Sequence, residues 1–119
     1  MKRKYRYVIY KASDDKQAVE IEKLGERTEK WEDFQESMPK NNSRWAVYDL
    51  EWVESDGRKC SKIVFIMYSP DENDDNAEKF VIACNKDRLK SKIPEVNLTY
   101  QVNRWDDLIE ENIIKKFHR

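Results

Sequence analysis

The pattern of apolar and polar positions along the chain predicts five strands and three helices. Alternating or continuous apolar and aromatic residues mark strands at 5–10, 18–24, 44–53, 62–68 and 98–102. Apolar residues at helical spacing mark helices at 28–38, 77–93 and from 105 to the C-terminus. Polar or breaker-rich turns separate these segments, at 13–16, 54–57 and 69–76 among others.

The order of these elements predicts an α/β layered domain. A short turn joins the first two strands, which indicates an antiparallel hairpin. A helix joins the fourth and fifth strands, which favours a parallel pair and a right-handed crossover. The fourth strand is almost continuously apolar, which is typical of the centre of a sheet. We therefore expect one domain over residues 1–119, a mixed five-stranded sheet flanked by helices on both faces.

The two later helices carry further expectations. In the long helix the apolar phase slips between Cys84 and Leu89, which predicts a bend or a 3₁₀ distortion near Asn85. Pro94 should end that helix. The terminal helix should direct one apolar set inward, namely Leu108, Ile109, Ile113, Ile114 and Phe117.

Charge and composition narrow the class of protein. The 119 residues include 23 Lys plus Arg and 24 Asp plus Glu, a formal net charge of −1. Near neutrality argues against a dedicated nucleic-acid binder. No stretch approaches the roughly 18 apolar residues of a membrane span, and the basic N-terminus is not a secretory signal. Two cysteines, Cys60 and Cys84, indicate free thiols in a reducing cytosol, although counting alone leaves one disulfide open.

The residues available for catalysis are few. There is one histidine, His118, which we expect to be a frayed surface residue, and two glycines, Gly25 and Gly57. These are too few for a histidine-rich metal site or a phosphate loop. The acidic run 71–75 lacks the ligand spacing and glycine of a calcium loop, and we expect a solvated loop there. The sequence therefore predicts no metal, no cofactor and no enzymatic activity, and it favours a binding protein.

Several segments carry a resemblance that covers nearly the whole chain in unbroken order. They are 4–10, 22–27, 31–34, 44–50, 79–83 and Lys86-Asp87, and above all Asp56-Gly57-Arg58-Lys59-Cys60-Ser61-Lys62-Ile63-Val64-Phe65-Ile66 followed by Ser69-Pro70-Asp71. Together they resemble the ADF/cofilin (actin-depolymerizing factor homology) family. The resemblance implies that family's gelsolin-like fold, a mixed sheet flanked by helices, which agrees with the topology derived above.

What the resemblance implies is actin binding. Members of this family bind actin monomers, bind and sever filaments, and are inhibited by phosphoinositides. It also implies a cytoplasmic, cytoskeleton-associated location, with the nucleus as a second one. By position, the long-helix candidates are Lys79, Phe80, Ile82, Lys86 and Asp87, with Phe80 replacing a methionine that contacts actin's hydrophobic cleft. The filament-site candidates are Lys62, Lys116 and Arg119.

Departures from the family pattern favour filaments over monomers as the partner. The family's N-terminal helix precedes the strand that opens this chain, so we expect it to be absent here. Apolar positions of the first and third strands should then be covered by a partner, a second copy or a rearranged neighbour. Ala77 and Cys60 stand where the family has basic residues, and the acidic loop is longer.

Simpler interpretations of the candidates stay open. The charged residues of the long helix suit a solvated helix face, and Phe80 suits a core position. Lys62 suits a guard against strand aggregation, and Lys116 a complement to the helix dipole. Two alternative functions also stay open, a regulator of branched actin resembling glia maturation factor and an interaction scaffold that does not bind actin.

Overall fold

The computed structural model describes residues 4–93 and 96–118, and a five-stranded sheet organises them. The strands are β1 (Tyr7–Ala12), β2 (Val19–Gly25), β3 (Arg44–Val53), β4 (Lys59–Tyr68) and β5 (Val96–Val102). They lie in the order β2-β1-β3-β4-β5. β4 and β5 are parallel and the other neighbours are antiparallel. The predicted mixed sheet and its topology are confirmed.

The helices are shorter than the sequence pattern predicts. They are α1 (Trp31–Ser37), α2 (Asn76–Cys84), α3 (Lys86–Ser91) and α4 (Glu110–Ile114). Local hydrogen bonds define two of their starts. The Lys30 amide donates to the Asp33 carboxylate at 2.9 Å before α1, and Asp75 accepts from the Glu78 amide at 3.0 Å before α2. Pro94, the predicted stop, lies outside the described residues.

The helices cover both faces of the sheet, as predicted. On the first face, α1 and α4 enclose an aromatic cluster around Tyr7, Phe34 and Tyr48. On the second face, α2 and α3 cover a cluster that includes the stacked pair Trp45 and Phe65. The buried strand residues of the second face are thus covered by neighbouring helices of the same chain.

Exposed apolar surface remains on the edge strand β2. Val8 of β1 and Val47 of β3 are buried, whereas Val53 at the end of β3 is 64% exposed. Ile21 of β2 is 55% exposed and Leu24 is 41% exposed. Of the three expected ways of covering the first and third strands, the burial of Val8 and Val47 fits a neighbouring element of the same chain.

The terminal helix is interrupted, which corrects the prediction of one continuous helix. A 3₁₀ turn over Trp105–Asp107 precedes α4, and another over Lys115–Phe117 follows it. The Trp105 indole donates to the carbonyls of Gln35 and Met38, each at 3.1 Å. These bonds hold the first turn against the end of α1. Ile109, predicted to face inward, is 43% exposed at the break before α4.

Two expectations from composition can be compared with the described part of the chain. Cys60 and Cys84 are both free thiols, so the predicted free state is confirmed. Among the described helices, none has the length and apolar character needed to cross a membrane.

Buried tyrosines give the fold a pH dependence at the alkaline end. Burial, reinforced by the carboxylates of Glu72 and Asp106, raises the pKa of Tyr68 to about 12. Because this folded-state pKa exceeds the unfolded value of about 10, the stabilisation is complete below pH 10 and is lost as the pH rises toward 12. Denaturant unfolding at a series of pH values should therefore show stability falling across this window. Tyr68→Phe should make the decline shallower, and an equally steep decline in that variant would contradict the assignment.

Candidate functional site

The predicted long helix is two helices that meet at Asn85. The Asn85 side-chain amide donates to the carbonyl of Val81 at 2.7 Å, and the Trp45 indole donates to the carbonyl of Ile82. Inside a continuous helix, both carbonyls would accept from backbone amides four residues later. Side chains supply two donors where the helical ladder is interrupted, so the predicted bend near Asn85 is confirmed with a physical cause.

The long-helix candidates lie on different sides of these helices. Phe80 is 70% exposed, Lys79 is partly exposed, and Lys86 and Asp87 lie on α3. Phe80 is therefore not a core residue, so its interpretation as a core position is wrong, and its interpretation as an actin contact stays a prediction. Ile82 is fully buried in the second cluster against the sheet. Its prediction as a contact residue is wrong, because its helical phase places it opposite the exposed side of α2.

The filament-site candidates lie on the other face of the sheet. Lys62 of β4 pairs with Leu50 of β3, and Leu50 belongs to the cluster on the face of α1 and α4. The Lys116 ammonium lies 5.9 Å from the centroid of the Tyr100 ring, whose side chain packs on the same cluster. Arg119 lies outside the described residues.

The segment that carries Lys116 is held against the β3–β4 hairpin. The Phe117 ring stacks on Trp52 with centroids 5.6 Å apart. His118 Nε2 and Glu54 Oε1 are 2.8 Å apart, and the Trp52 indole donates to the same oxygen at 2.7 Å. Hydrogen bonds from Trp52 and then His118 lower the pKa of Glu54. His118, expected to be frayed, is exposed but bonded to Glu54.

The structure therefore separates the predicted site residues into two surfaces. We call the exposed side of α2 and α3 with Lys79, Phe80, Lys86 and Asp87 the helix surface. We call the area around Lys62 and Lys116 the strand surface. α2 and α3 pack on the second cluster, while the strand surface belongs to the face of the first. The two surfaces thus lie on opposite sides of the sheet.

Sequence reasoning missed two buried polar residues beside the helix surface. Glu78 is 6% exposed, and Asn73 is buried in the loop expected to be solvated. The Asn73 side-chain amide donates to Glu78 Oε1 at 2.9 Å. The spacing of Asp75 and Glu78 resembles a capping box and could have indicated a helix start, but no local pattern indicates that Glu78 is buried.

No feature of the described residues points to metal chemistry. Among residues 4–93 and 96–118, no group of three or more His, Cys, Asp or Glu side chains is placed to hold a metal ion. The chemical content of the two surfaces is an exposed aromatic ring, ammonium groups and a carboxylate. Such groups suit contact with another macromolecule.

Comparison with known proteins places this geometry in a family. Residues 1–118 match the family described as cofilin/tropomyosin-type actin-binding protein. Actin-depolymerizing factor 2 of Petunia hybrida is 38% identical over 100 residues, which are 84% of this chain and 69% of that protein. Actin-depolymerizing factor 8 of Arabidopsis thaliana is also 38% identical, over 84% of this chain and 71% of its own length.

The likeness extends to solved structures. The crystal structure of Streptomyces griseoflavus cofilin superposes with a TM-score of 0.85 and 26% sequence identity. The superposition covers 99% of this chain and 86% of that one. The sheet order, the helices on both faces and the matched residues thus lead to one conclusion. This chain belongs to the ADF/cofilin family of actin-binding proteins.

Proposed function

We propose that the chain binds actin filaments through both surfaces and promotes filament disassembly. The observation that carries the proposal is Phe80, a large aromatic side chain that is 70% exposed on α2. It stands at the position where the family resemblance places a cleft-contacting methionine. An exposed ring on a helix is a suitable anchor for an apolar cleft, because interface energy concentrates in a few large buried side chains. The family is non-enzymatic, and the proposal needs no catalytic group.

The separation of the two surfaces favours a filament as the partner. A single actin monomer would have to contact opposite sides of the sheet in order to use both. A filament presents adjacent subunits, so the helix surface can bind one subunit while the strand surface contacts its neighbour. Lys62 and Lys116 would then supply steering and register, which charged groups at an interface rim provide more than affinity. The place of action would be the actin cytoskeleton.

Charge reversal at the strand surface tests the filament part of this proposal. In Lys62→Glu/Lys116→Glu, we expect co-sedimentation with actin filaments to weaken by about tenfold, since each reversal removes an attraction and adds a repulsion. Binding to monomeric actin should change by less than about twofold, because the helix surface is intact. Filament pelleting and a monomer-binding assay, run in parallel, measure the two quantities.

The matched control changes the net charge by the same amount elsewhere. Lys11 lies on β1 and Lys40 lies beside the Trp105 ring, and neither belongs to the helix surface or to the strand surface. Lys11→Glu/Lys40→Glu should pellet like the wild type. Equal weakening in both double variants would assign the effect to overall charge. A wild-type chain that binds neither filaments nor monomers would refute the proposal and favour an interaction scaffold.

A further inference from the structure

The most unusual group beside the helix surface is the buried carboxylate of Glu78. It lies in the first turn of α2 and is 6% exposed. One oxygen accepts from the Ser43 amide at 2.7 Å and from the Asn73 side-chain amide at 2.9 Å. The other lies 3.6 Å from the Arg44 guanidinium. The carboxylate therefore joins α2 to the start of β3 and to the preceding loop.

Asn73 closes this network from the loop side. Its amide nitrogen also donates to Ser43 Oγ at 2.8 Å, and its oxygen accepts from the Asp75 amide at 2.9 Å. Asp75 in turn caps the Glu78 amide. Each of the side chains in this network thus bonds another member of the network. The bonds restrict the motion of the loop, the first turn of α2 and the start of β3 relative to one another. Fully satisfied buried polar networks of this kind specify one local arrangement.

Stability alone does not require a charge at this position. Replacing a buried ionic group by a well-packed apolar one is often neutral or stabilising, because desolvation opposes the attraction. What directional bonds add is orientation. One turn after Glu78, the Trp45 indole bonds the Ile82 carbonyl. The consecutive residues Ser43, Arg44 and Trp45 thereby hold two successive turns of α2.

Phe80 lies between these two attachment points. Glu78 and Ile82 face the sheet side and are buried, whereas Phe80 projects to solvent. A rotation of α2 about its axis would break the Ser43 and Asn73 bonds and would turn Phe80 toward the sheet. The two attachments therefore determine where the ring points.

We propose that Glu78 is a positioning residue that fixes the orientation of the first turn of α2 and so presents Phe80 to the partner. The importance of Glu78 for actin binding rests on the proposed function, whereas its effect on the orientation of α2 can be tested without a partner. Asn73 acts in the same network, which gives the loop 71–75 a structural role. The acidic loop, which departs from the family pattern, and the buried Glu78 are therefore parts of one hydrogen-bonded unit.

Glu78→Gln is the direct test, because it keeps the size of the side chain but replaces one acceptor oxygen by a donor that faces other donors. We expect amide hydrogen exchange at Ser43 and over residues 79–82 to accelerate by about tenfold or more. Amides of Phe65 and Ile66 in β4 should change by less than about threefold. Filament affinity, measured where the variant is fully folded, should fall by about fivefold.

A second variant and a control keep the test decisive. Asn73→Ala removes the donor to Glu78 and the acceptor of the Asp75 amide without replacing a residue of α2, and it should give the same pattern of exchange. Ile9→Val deletes one buried methyl group on the other face of the sheet and should lower the stability of the protein. Exchange in α2 and filament affinity should nevertheless stay near the wild-type values. Acceleration spread evenly over all strands and helices in Glu78→Gln, or no acceleration at residues 79–82, would overturn the proposal.

The two proposals can fail separately in this design. If the wild type binds no actin, the proposed function fails while the exchange pattern still decides whether Glu78 orients α2. If Phe80→Ala weakens filament binding but Glu78→Gln does not, the proposed function stands and the positioning role is refuted.

Discussion

Phe80→Ala is expected to weaken binding to actin filaments by about 30-fold while leaving the fold intact. Truncation of a central aromatic contact commonly removes about 2 kcal/mol or more of binding free energy, which corresponds to this factor. The side chain is 70% exposed, so its removal should change the free energy of unfolding by less than about 0.5 kcal/mol. Co-sedimentation over a range of filament concentrations and denaturant unfolding measure the two quantities.

Two further variants make this result specific. Ile21→Ala truncates another large apolar side chain, 55% exposed on the edge strand β2 and not part of the helix surface, and should bind filaments like the wild type. Phe80→Met introduces the residue that the family resemblance places here and should retain most of the affinity. Unchanged binding in Phe80→Ala, or an equal loss in Ile21→Ala, would show that the ring is not an anchor.

The sheet was largely predictable because its signals are local in sequence. β3 has the predicted bounds, Arg44–Val53, since alternation is strong and turns flank it. β4 begins at Lys59, three residues before its predicted start. Lys59 and Ser61 are polar and only Cys60 between them is apolar, so apolar patterning does not mark this stretch. Their membership in β4 comes from pairing with β3, a long-range interaction that the pattern does not contain.

Helix ends were less predictable because side chains from distant segments determine them. The phase slip after Cys84 indicated the bend, but the Trp45 indole that satisfies the Ile82 carbonyl comes from another strand. The break before α4 has a similar origin. The Trp31 indole donates to the Leu108 carbonyl at 3.0 Å, across 77 residues of sequence. Propensity within a segment carries no information about such partners.

The candidate site was predictable in its residue types and less so in its geometry. The family resemblance identified both Phe80 and Ile82 as contact residues. Only the packing of α2 on the sheet shows that the Phe80 ring is exposed and that Ile82 is buried. Glu78 is a residue that the sequence could not single out, because one acidic residue among 24 gives no sign that it is buried. Its environment arises from Ser43 and Asn73, which the fold brings together.

Gly25→Ala is expected to destabilise the protein by about 3 kcal/mol through a steric conflict with Tyr7. Gly25 pairs with Tyr7 across β1 and β2, and a Cβ atom there would lie 2.3 Å from a carbon of the Tyr7 ring. The ring has little freedom to move. It packs edge-on to Phe34 with centroids 5.1 Å apart, and its hydroxyl donates to Glu29 at 2.6 Å. Denaturant unfolding of the variant measures the loss.

Gly57→Ala separates this steric effect from the general effect of replacing glycine. Gly57 has φ of +86° in the β3–β4 turn, and no atom lies within 4 Å of the place that a Cβ would take. Only backbone strain of about 1 kcal/mol is therefore expected. A double-mutant cycle then isolates the pair. In a Tyr7→Val background, Gly25→Ala should lose about 1 kcal/mol or less, because the conflicting ring is gone. An unchanged loss in that background would mean that Gly25 is required for a reason other than the Tyr7 ring.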